Sequence, residues 1–462
     1  MAKFSISLLL LSLLTITGIA QNSKQYLTNP LPDSWSDGNF FEQSIPTDDL
    51  WWHNFEDSTL DSLINIAIMQ NHSVLAAIEN MKRAKAVWRQ SQANLLPQID
   101  ITGGWQRRKS SGNTAESLYR ESYEGYFSGA ATVSWQIDVF GSIYMRSKAQ
   151  KRLFQATEEE YRAVMVTLCA NLAITYFSLK ESMARLNVFR SNVESQKEII
   201  NIVTSRYNSG LASKLDVAQS KSVYYNTLAQ IPSMEANIDN YRYSLAVLLG
   251  CYPEEVENLT GTTELPSYIE PISVGVPATL LRRRPDIREA EREVEAYAAM
   301  LGAAKRDWLP SFYLNGSIGY SADKPKELPR SRSLVWEIAP TIKWNIFNGG
   351  KTVNATREAQ AALEQSIIAF NSNVLTAIQE VENAMSSYKN SIAQIVAIKE
   401  ATNQSSETLK LSLELYKQGL TQFQNVLDAQ RTLLNYQDYL VQARGASLKY
   451  LVQLYESLGG GW

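Results

Sequence analysis

The residues best suited to chemistry are Gly350, Lys351 and Thr352, in the run WNIFNGGKTV at 344–353. A Gly-Lys-Thr of this kind closes a phosphate loop, whose backbone N–H groups curl around the phosphates while the lysine reaches the outer ones. The curl also needs a glycine five positions before Gly350, and Asn345 stands there. Upstream, Trp336, Ile338, Ile342, Trp344 and Ile346 alternate with polar residues, unlike the uniformly apolar strand that feeds such a loop. His53 and His72 are the only histidines, and Cys169 and Cys251 the only cysteines. That is too little material for a histidine-based catalytic or metal site, a metal cluster or a disulfide framework, and each cysteine reads as a free core thiol. No catalytic residue, metal or cofactor is expected, and the chain is not read as an enzyme.

The elements that position these residues are more informative than the residues themselves. Lys3 precedes an apolar run from Phe4 to Leu14, and Gly18-Ile19-Ala20 supplies the small residues of a cleavage site, so residues 1–20 read as an export signal. Gln21 follows, where a lipid-anchored protein would carry cysteine. Without Lys3 the chain has 43 basic and 47 acidic side chains, and no basic stripe points to nucleic acid. No later run is continuously apolar over a membrane-spanning length, so contact with a bilayer falls to alternating strands.

The chain is written twice. RYNSGLASKLDV at 206–217 lies over LYKQGLTQFQNV at 415–426, so that Tyr207, Gly210, Leu211, Asp216 and Val217 match Tyr416, Gly419, Leu420, Asn425 and Val426 at a constant offset of 209. Trp135 and Trp344 share that offset. The first repeat is expected over 21–250, with a strand hairpin at 98–137 and a long helical hairpin at 142–250; a Pro- and Gly-rich linker fills 251–277. The second repeat covers 278–462, with hairpins at 311–346 and 351–458.

Neither glycine nor proline occurs from Ser142 to Ser209 or from Lys351 to Gln418, 68 positions each. A helix of that length extends roughly 100 Å. Leu172, Leu179, Leu186, Val193, Ile200 and Tyr207 recur every seven residues, which predicts coiled packing. In the strands, Phe127, Val133, Trp135 and Ile137 alternate with Ser128, Thr132, Ser134 and Gln136, the lipid-out, lumen-in pattern of a membrane barrel. Trp105, Phe127, Trp135, Trp336 and Trp344 are the candidates for the lipid interface. Pro340 interrupts the pattern and is expected at a bulge or an edge. Four strands leave two open edges in lipid, so copies must complete the barrel: two copies would fill the interior with side chains, and three would leave a lumen.

The Gly-Leu turns followed by Asp216-Val217 and by Asn425-Val426-Leu427-Asp428-Ala429-Gln430, the run DDLWWHNFEDSTLDSLINIA at 48–67, and VPATLLRRRPDIREAEREVEAYAAMLGAAKRDWLPSFYLNGSIGY at 276–320 resemble the TolC-like outer-membrane efflux channel family, most closely its NodT-type branch. Arg283-Arg284-Pro285-Asp286-Ile287 lies within the most distinctive motif. The resemblance implies an α+β membrane protein: a homotrimer with a twelve-stranded outer-membrane barrel, continued by a periplasmic helical tunnel. It also implies an exit duct for a periplasmic adaptor and an inner-membrane pump, closed at its periplasmic helix tips. By matching position, Tyr207, Gly210, Leu211, Asp216, Tyr416, Gly419, Leu420, Thr421 and Asn425 fall at those tips, with Asp428 one turn above in a carboxylate ring. Two departures stand out: the acylated cysteine common in this branch is absent, and Thr421 replaces the gate arginine of TolC. Duller readings stay open at this point. The tyrosines could be core packing, Asp428 a solvated charge and Asp286 a helix-start residue, and the whole chain could be a surface-anchored coiled coil or adhesin.

Overall fold

A computed structural model describes residues 26–36, 40–41, 50–109, 123–256, 264–266, 272, 274–278 and 283–460. The expected export signal, the tip of the first strand hairpin and about half of the linker lie outside the described residues. The described residues divide into two compact units, one from Met1–Ile78, Glu159–Arg288 and Phe370–Trp462, the other from Glu79–Glu158 and Glu289–Ala369. Among the described residues the α-helices longer than four residues are, in chain order, α1 (Ser58–Gln70), α2 (His72–Ala93), α3 (Ser142–Asn208), α4 (Lys214–Leu228), α5 (Ile231–Leu249), α6 (Pro285–Arg306), α7 (Lys351–Gln418) and α8 (Phe423–Ser457). Strands β1 (Gln98–Lys109) and β2 (Tyr123–Ile137) lie between α2 and α3, and β3 (Ser311–Ala322) and β4 (Leu334–Lys343) between α6 and α7.

The second unit contains the sheet, antiparallel throughout in the order β1-β2-β3-β4. Its registry aligns the apolar positions across all four strands: Ile101 faces Ala131, Ala131 faces Ile318, and Ile318 faces Trp336. One face is thereby apolar from edge to edge. Ile99, Ile101, Trp105, Trp336, Ile338 and Ile342 are exposed on it, Ile101 at 88%. On the opposite face Ser134 donates to Asn315 at 3.2 Å and Asn315 to Thr341 at 3.4 Å, a polar chain running across three strands. Pro340 lies on the edge strand, as expected, opposite Leu314. The last strand stops at Lys343, so Trp344 and Ile346 fall beyond it rather than within the predicted hairpin.

Each strand hairpin leads into its long helix through a corner built from positive-φ glycines, Gly141 in one case and Gly349 with Gly350 in the other. Asp138 then accepts from the Ile143 and Tyr144 backbone N–H groups at 3.1 and 2.7 Å, and Asn348 accepts from that of Thr352 at 3.4 Å. Asn348 also donates to the Thr352 hydroxyl at 2.6 Å. The Gly-Lys-Thr of the sequence is thus the start of α7, and its threonine belongs to the helix cap.

The first unit packs α1, α4, α5 and α8 with the distal parts of α3 and α7. Among the described residues one stretch of α3 is long and apolar enough on average to cross a membrane, although it is not a continuous apolar run, and 67% of it is buried within the chain. The seven-residue seam holds only in part. Leu172, Leu179 and Leu186 are buried, whereas farther along the buried positions become Ile199 and Val203, and Tyr207 is exposed. A straight helix drifts about 20° per heptad, so five heptads rotate a strict seven-residue row by about 100°. The C-terminal helix of the first repeat is broken into α4 and α5, with Pro232 at the start of α5, whereas α8 runs unbroken.

Candidate functional site at the helix tips

Helices α3 and α7 both end at one place, where α4 and α8 begin. Each ends in the same way. Gly210 and Gly419 adopt φ of 74° and 79°, the left-handed conformation that closes a helix C-terminus. The N–H of Leu211 reaches the Arg206 carbonyl at 2.8 Å, and that of Leu420 reaches the Leu415 carbonyl at 2.9 Å. A glycine at these positions is a backbone requirement, because an L side chain is strained at such φ. Leu211 and Leu420 point out of the turns and are exposed.

Beyond the turns the two repeats differ. Ser213 caps α4 in a reciprocal box with Asp216: the Asp216 N–H donates to the serine oxygen at 3.1 Å, and the Ser213 N–H to the Asp216 carboxylate at 3.5 Å. At the matching place in α8, Gln422 makes no side-chain cap, and Asn425 donates instead to Thr421 Oγ1 at 2.7 Å. The matched tyrosines separate too. Tyr416 is 4% exposed and lies 5.1 Å from the Phe423 ring, while Tyr207 is 41% exposed. Tyr416 joins Ile199, Val203, Val223, Phe423, Val426 and Leu427 in a core at the tip. The core-packing reading therefore describes Tyr416 and fails for Tyr207.

Around Tyr416 lies the tip's most concentrated chemistry. Its hydroxyl donates to Asp216 Oδ2 at 3.4 Å, and the Arg206 guanidinium sits 5.0 Å from its ring centroid. Burial, followed by the Asp216 charge, pushes the phenol pKa up against the opposing pull of Arg206. Both turns and both helix starts line a depression of about 640 Å³ that includes Gly210, Asp216, Tyr416, Gly419 and Thr421. Asp428 lies apart from this cluster, exposed and accepting from Gln424 at 3.0 Å.

Among the lipid-interface candidates, Trp105 faces Phe127 in register, and Trp135 and Trp336 share their apolar face. Trp135 donates its indole N–H to the Leu95 carbonyl, and Trp344 donates to that of Trp308, each at 3.0 Å. In both cases the acceptor stands two residues before the proline that precedes a strand, Pro97 or Pro310. Trp344 keeps this duplicated contact although it lies outside β4.

Two functional contacts were missed from the sequence. Arg206 has no mark in its own repeat, and its counterpart at the 209 offset is Leu415; that mismatch within an otherwise repeated turn is the available signal. The second is Arg284, in the distinctive Arg-Arg-Pro-Asp run. It is buried, grips Asp286 through two nitrogens at 3.1 and 2.7 Å, meets Glu380 at 2.7 Å, and donates to the Ser457 carbonyl at 2.9 Å. Asp286 is thus in the first turn of α6, as the helix-start reading expected, and also holds a buried cation. The guanidinium fastens the entry of α6 to α7 and to the end of α8.

An amphipathic four-stranded sheet, two very long helices and a duplicated helix tip define a membrane-inserted helical protein of repeated design. The family description "Outer membrane efflux protein" matches residues 63–251 and 276–460, and the chain belongs to that family. It is 28% identical over 434 residues to nodulation protein T of Rhizobium leguminosarum bv. trifolii, covering 94% of this chain and 92% of that protein. It is 27% identical to the outer membrane protein OprJ of Pseudomonas aeruginosa, with 94% and 91% covered. The solved outer-membrane channel OprN superposes with a TM-score of 0.88 at 28% identity, covering 94% of this chain and 98% of that one.

Proposed function

We propose that three copies of this chain form an outer-membrane exit duct, which passively conducts substrates delivered by a periplasmic adaptor and an inner-membrane pump and is gated at the helix tips. The observation that carries this reading is the sheet: one face is apolar from β1 to β4, and among the described residues neither β1 nor β4 has a partner on its outer side. In lipid, each unpaired backbone group costs several kcal/mol, so the edges must pair with further copies. Eight strands would fill their own interior, whereas twelve leave a lumen for the polar face that carries Ser134, Asn315 and Thr341. Gate residues are assigned to the tip cluster, with Tyr416 and Asp216 as its link and Tyr207, Leu211, Leu420, Thr421 and Asn425 around it. Asp428 supplies a carboxylate to a ring in the lumen. Relatives named for cation efflux and for toluene efflux are 27% and 28% identical over 89% and 88% of this chain, which supports a cargo set outside the duct.

The test is reconstitution of the detergent-purified oligomer in a planar bilayer, with its mass measured by native mass spectrometry. A trimer with resolvable channel openings is expected. A stable dimer, or a folded and inserted oligomer that never conducts at any voltage or pH, overturns the reading. In intact cells, added protease should cut only the short polar loops between strands; cleavage within α3 or α7 would place the helices outside the cell, as an adhesin requires.

A further inference from the structure

Helices α3 and α7 end side by side at the tip, both by their C-termini. Each such end carries the equivalent of about half a negative charge, from carbonyls left without an intrahelical partner. Two like poles are thus brought together, and they favour separation unless a cation lies between them. Arg206 is in that place. One guanidinium nitrogen donates to the Lys417 carbonyl in the last turn of α7 at 2.6 Å, and the other reaches the Leu211 carbonyl in the turn after α3 at 3.4 Å. The same group lies over the Tyr416 ring, Cζ 5.0 Å from its centroid. Its remaining nitrogen, Nε, is buried without a partner, so the side chain is held in place by these contacts rather than by solvent. The second repeat has Leu415 at the equivalent position, and the cation in the last turn of α7 is Lys417, two residues further on.

We propose that Arg206 is the positioning residue of the gate: it ties the turn of the first repeat to the turn of the second, and the tips separate only when it lets go of the Lys417 carbonyl. The inference rests on the reading of these turns as the gate and adds to it the residue that holds them shut. Tyr416 and Asp216 form a side-chain link that a change of one rotamer can break. Arg206 instead contacts main-chain atoms of both turns and the Tyr416 ring at once, so letting go of one turn gives up several contacts together. Its planar fork is essential, because a lysine at this site carries the charge yet cannot span two carbonyls and stack on the ring together.

The test is single-channel recording of the wild-type oligomer beside Arg206→Gln, Arg206→Lys and Asp216→Asn, with heat stability of each oligomer measured in parallel. Arg206→Gln should raise the open probability by about tenfold, equivalent to losing about 1.4 kcal/mol of closed-state preference. Arg206→Lys should recover only part of the closure, and should do so at wild-type heat stability. If Asp216→Asn opens the channel while Arg206→Gln records like wild type, the gate reading stands and the role of Arg206 is overturned. If Arg206→Gln lowers heat stability without altering open probability, the residue is structural only and the proposal fails. Full closure restored by Arg206→Lys refutes the bridging role, since charge alone then suffices. Should every variant and the wild type conduct alike, the tips are not the gate and both readings fall.

Discussion

Replacing Lys180 by methionine tests how the segment before α1 is fastened to α3. Lys180 is 3% exposed, and its ammonium lies 2.8 Å from Asp57 Oδ2. Tyr176 donates to the same oxygen at 2.9 Å, while Asp57 Oδ1 caps α1 by accepting from the Thr59 and Leu60 N–H groups at 3.1 and 3.3 Å. Removing the lysine leaves a partly buried carboxylate, its side chain 12% exposed, that keeps three donors but loses its counter-charge. Breaking a buried pair on one side costs about 3–5 kcal/mol, and the three surviving donors place this case near 3 kcal/mol. Removing the charge as well, in Asp57→Asn with Lys180→Met, keeps a capping side chain and should recover more than half of that loss. Trp51 and Trp52 are buried close by in sequence, Trp51 stacked 5.4 Å from Tyr455, so their fluorescence reports release of this segment during denaturant unfolding. A free-energy loss of about 3 kcal/mol corresponds to about 150-fold in the opening equilibrium. A single variant that loses less than 1 kcal/mol, or a double variant that loses as much as the single, would refute the argument that an uncompensated charge is the cause.

Acidity should act on two sites in opposite senses. Burial alone would raise the Asp57 carboxyl pKa, but the Lys180 hydrogen bond and charge, with Tyr176 and the Leu60 N–H, bring it below the usual range; its stabilisation is present above the unfolded-state pKa and lost as pH falls through the folded one. Glu456 is shifted up, by burial and then by Glu380, so its contribution is held below the unfolded-state pKa and lost as pH rises through the folded one; Glu456→Gln should flatten that loss in unfolding midpoints measured against pH. Gly319→Val should disrupt the seam between β2 and β3, because a Cβ there meets the Gly129 carbonyl oxygen and Ala130; oligomer yield after refolding into detergent is expected to fall severalfold. Asp428→Asn should weaken cation preference in reversal-potential measurements, and unchanged selectivity would remove Asp428 from the lumen.

Strand alternation, repeat offset and turn glycines were legible because each is a local rule: period two, self-similarity and positive φ. The register that joins β2 to β3 across the 173 residues between Ile137 and Ser311 was not, since no local pattern states which apolar row meets which; their pairing places Val133 opposite Gly316 and Trp135 opposite Leu314. Of the two readings left open for Tyr207, core packing does not describe it, because a straight helix rotates a seven-residue row off the seam and Tyr207 is exposed. Arg284 was legible as a motif but not as a bridge, because Ser457 is 173 residues away. The end of β4 was placed too late because Trp344 continues the apolar alternation while its indole is committed to the Trp308 carbonyl.

The duplication accounts for the scaffold, and, with the turns taken as the proposed gate, the differences between the copies bear on which turn would move. If three chains gather six helical hairpins, identical turns would be equally secure and would release together. They are not identical. The first has a reciprocal box of Ser213 and Asp216 at the start of α4, and the second begins α8 at Gln422 with no side-chain cap. A cap of this kind stabilises a helix start by about 1 kcal/mol, so the turn around Gly419 is the looser of the two. Once Arg206 releases Lys417, that turn is the one free to swing. Hydrogen exchange should accordingly be faster at 420–427 than at 211–218, and Gln422→Ser with Asn425→Asp, which writes the first repeat's box into the second, should slow it about fivefold and lower the channel's open probability. Equal exchange at the two turns, or an engineered box that leaves opening unchanged, would show that capping does not decide which hairpin moves.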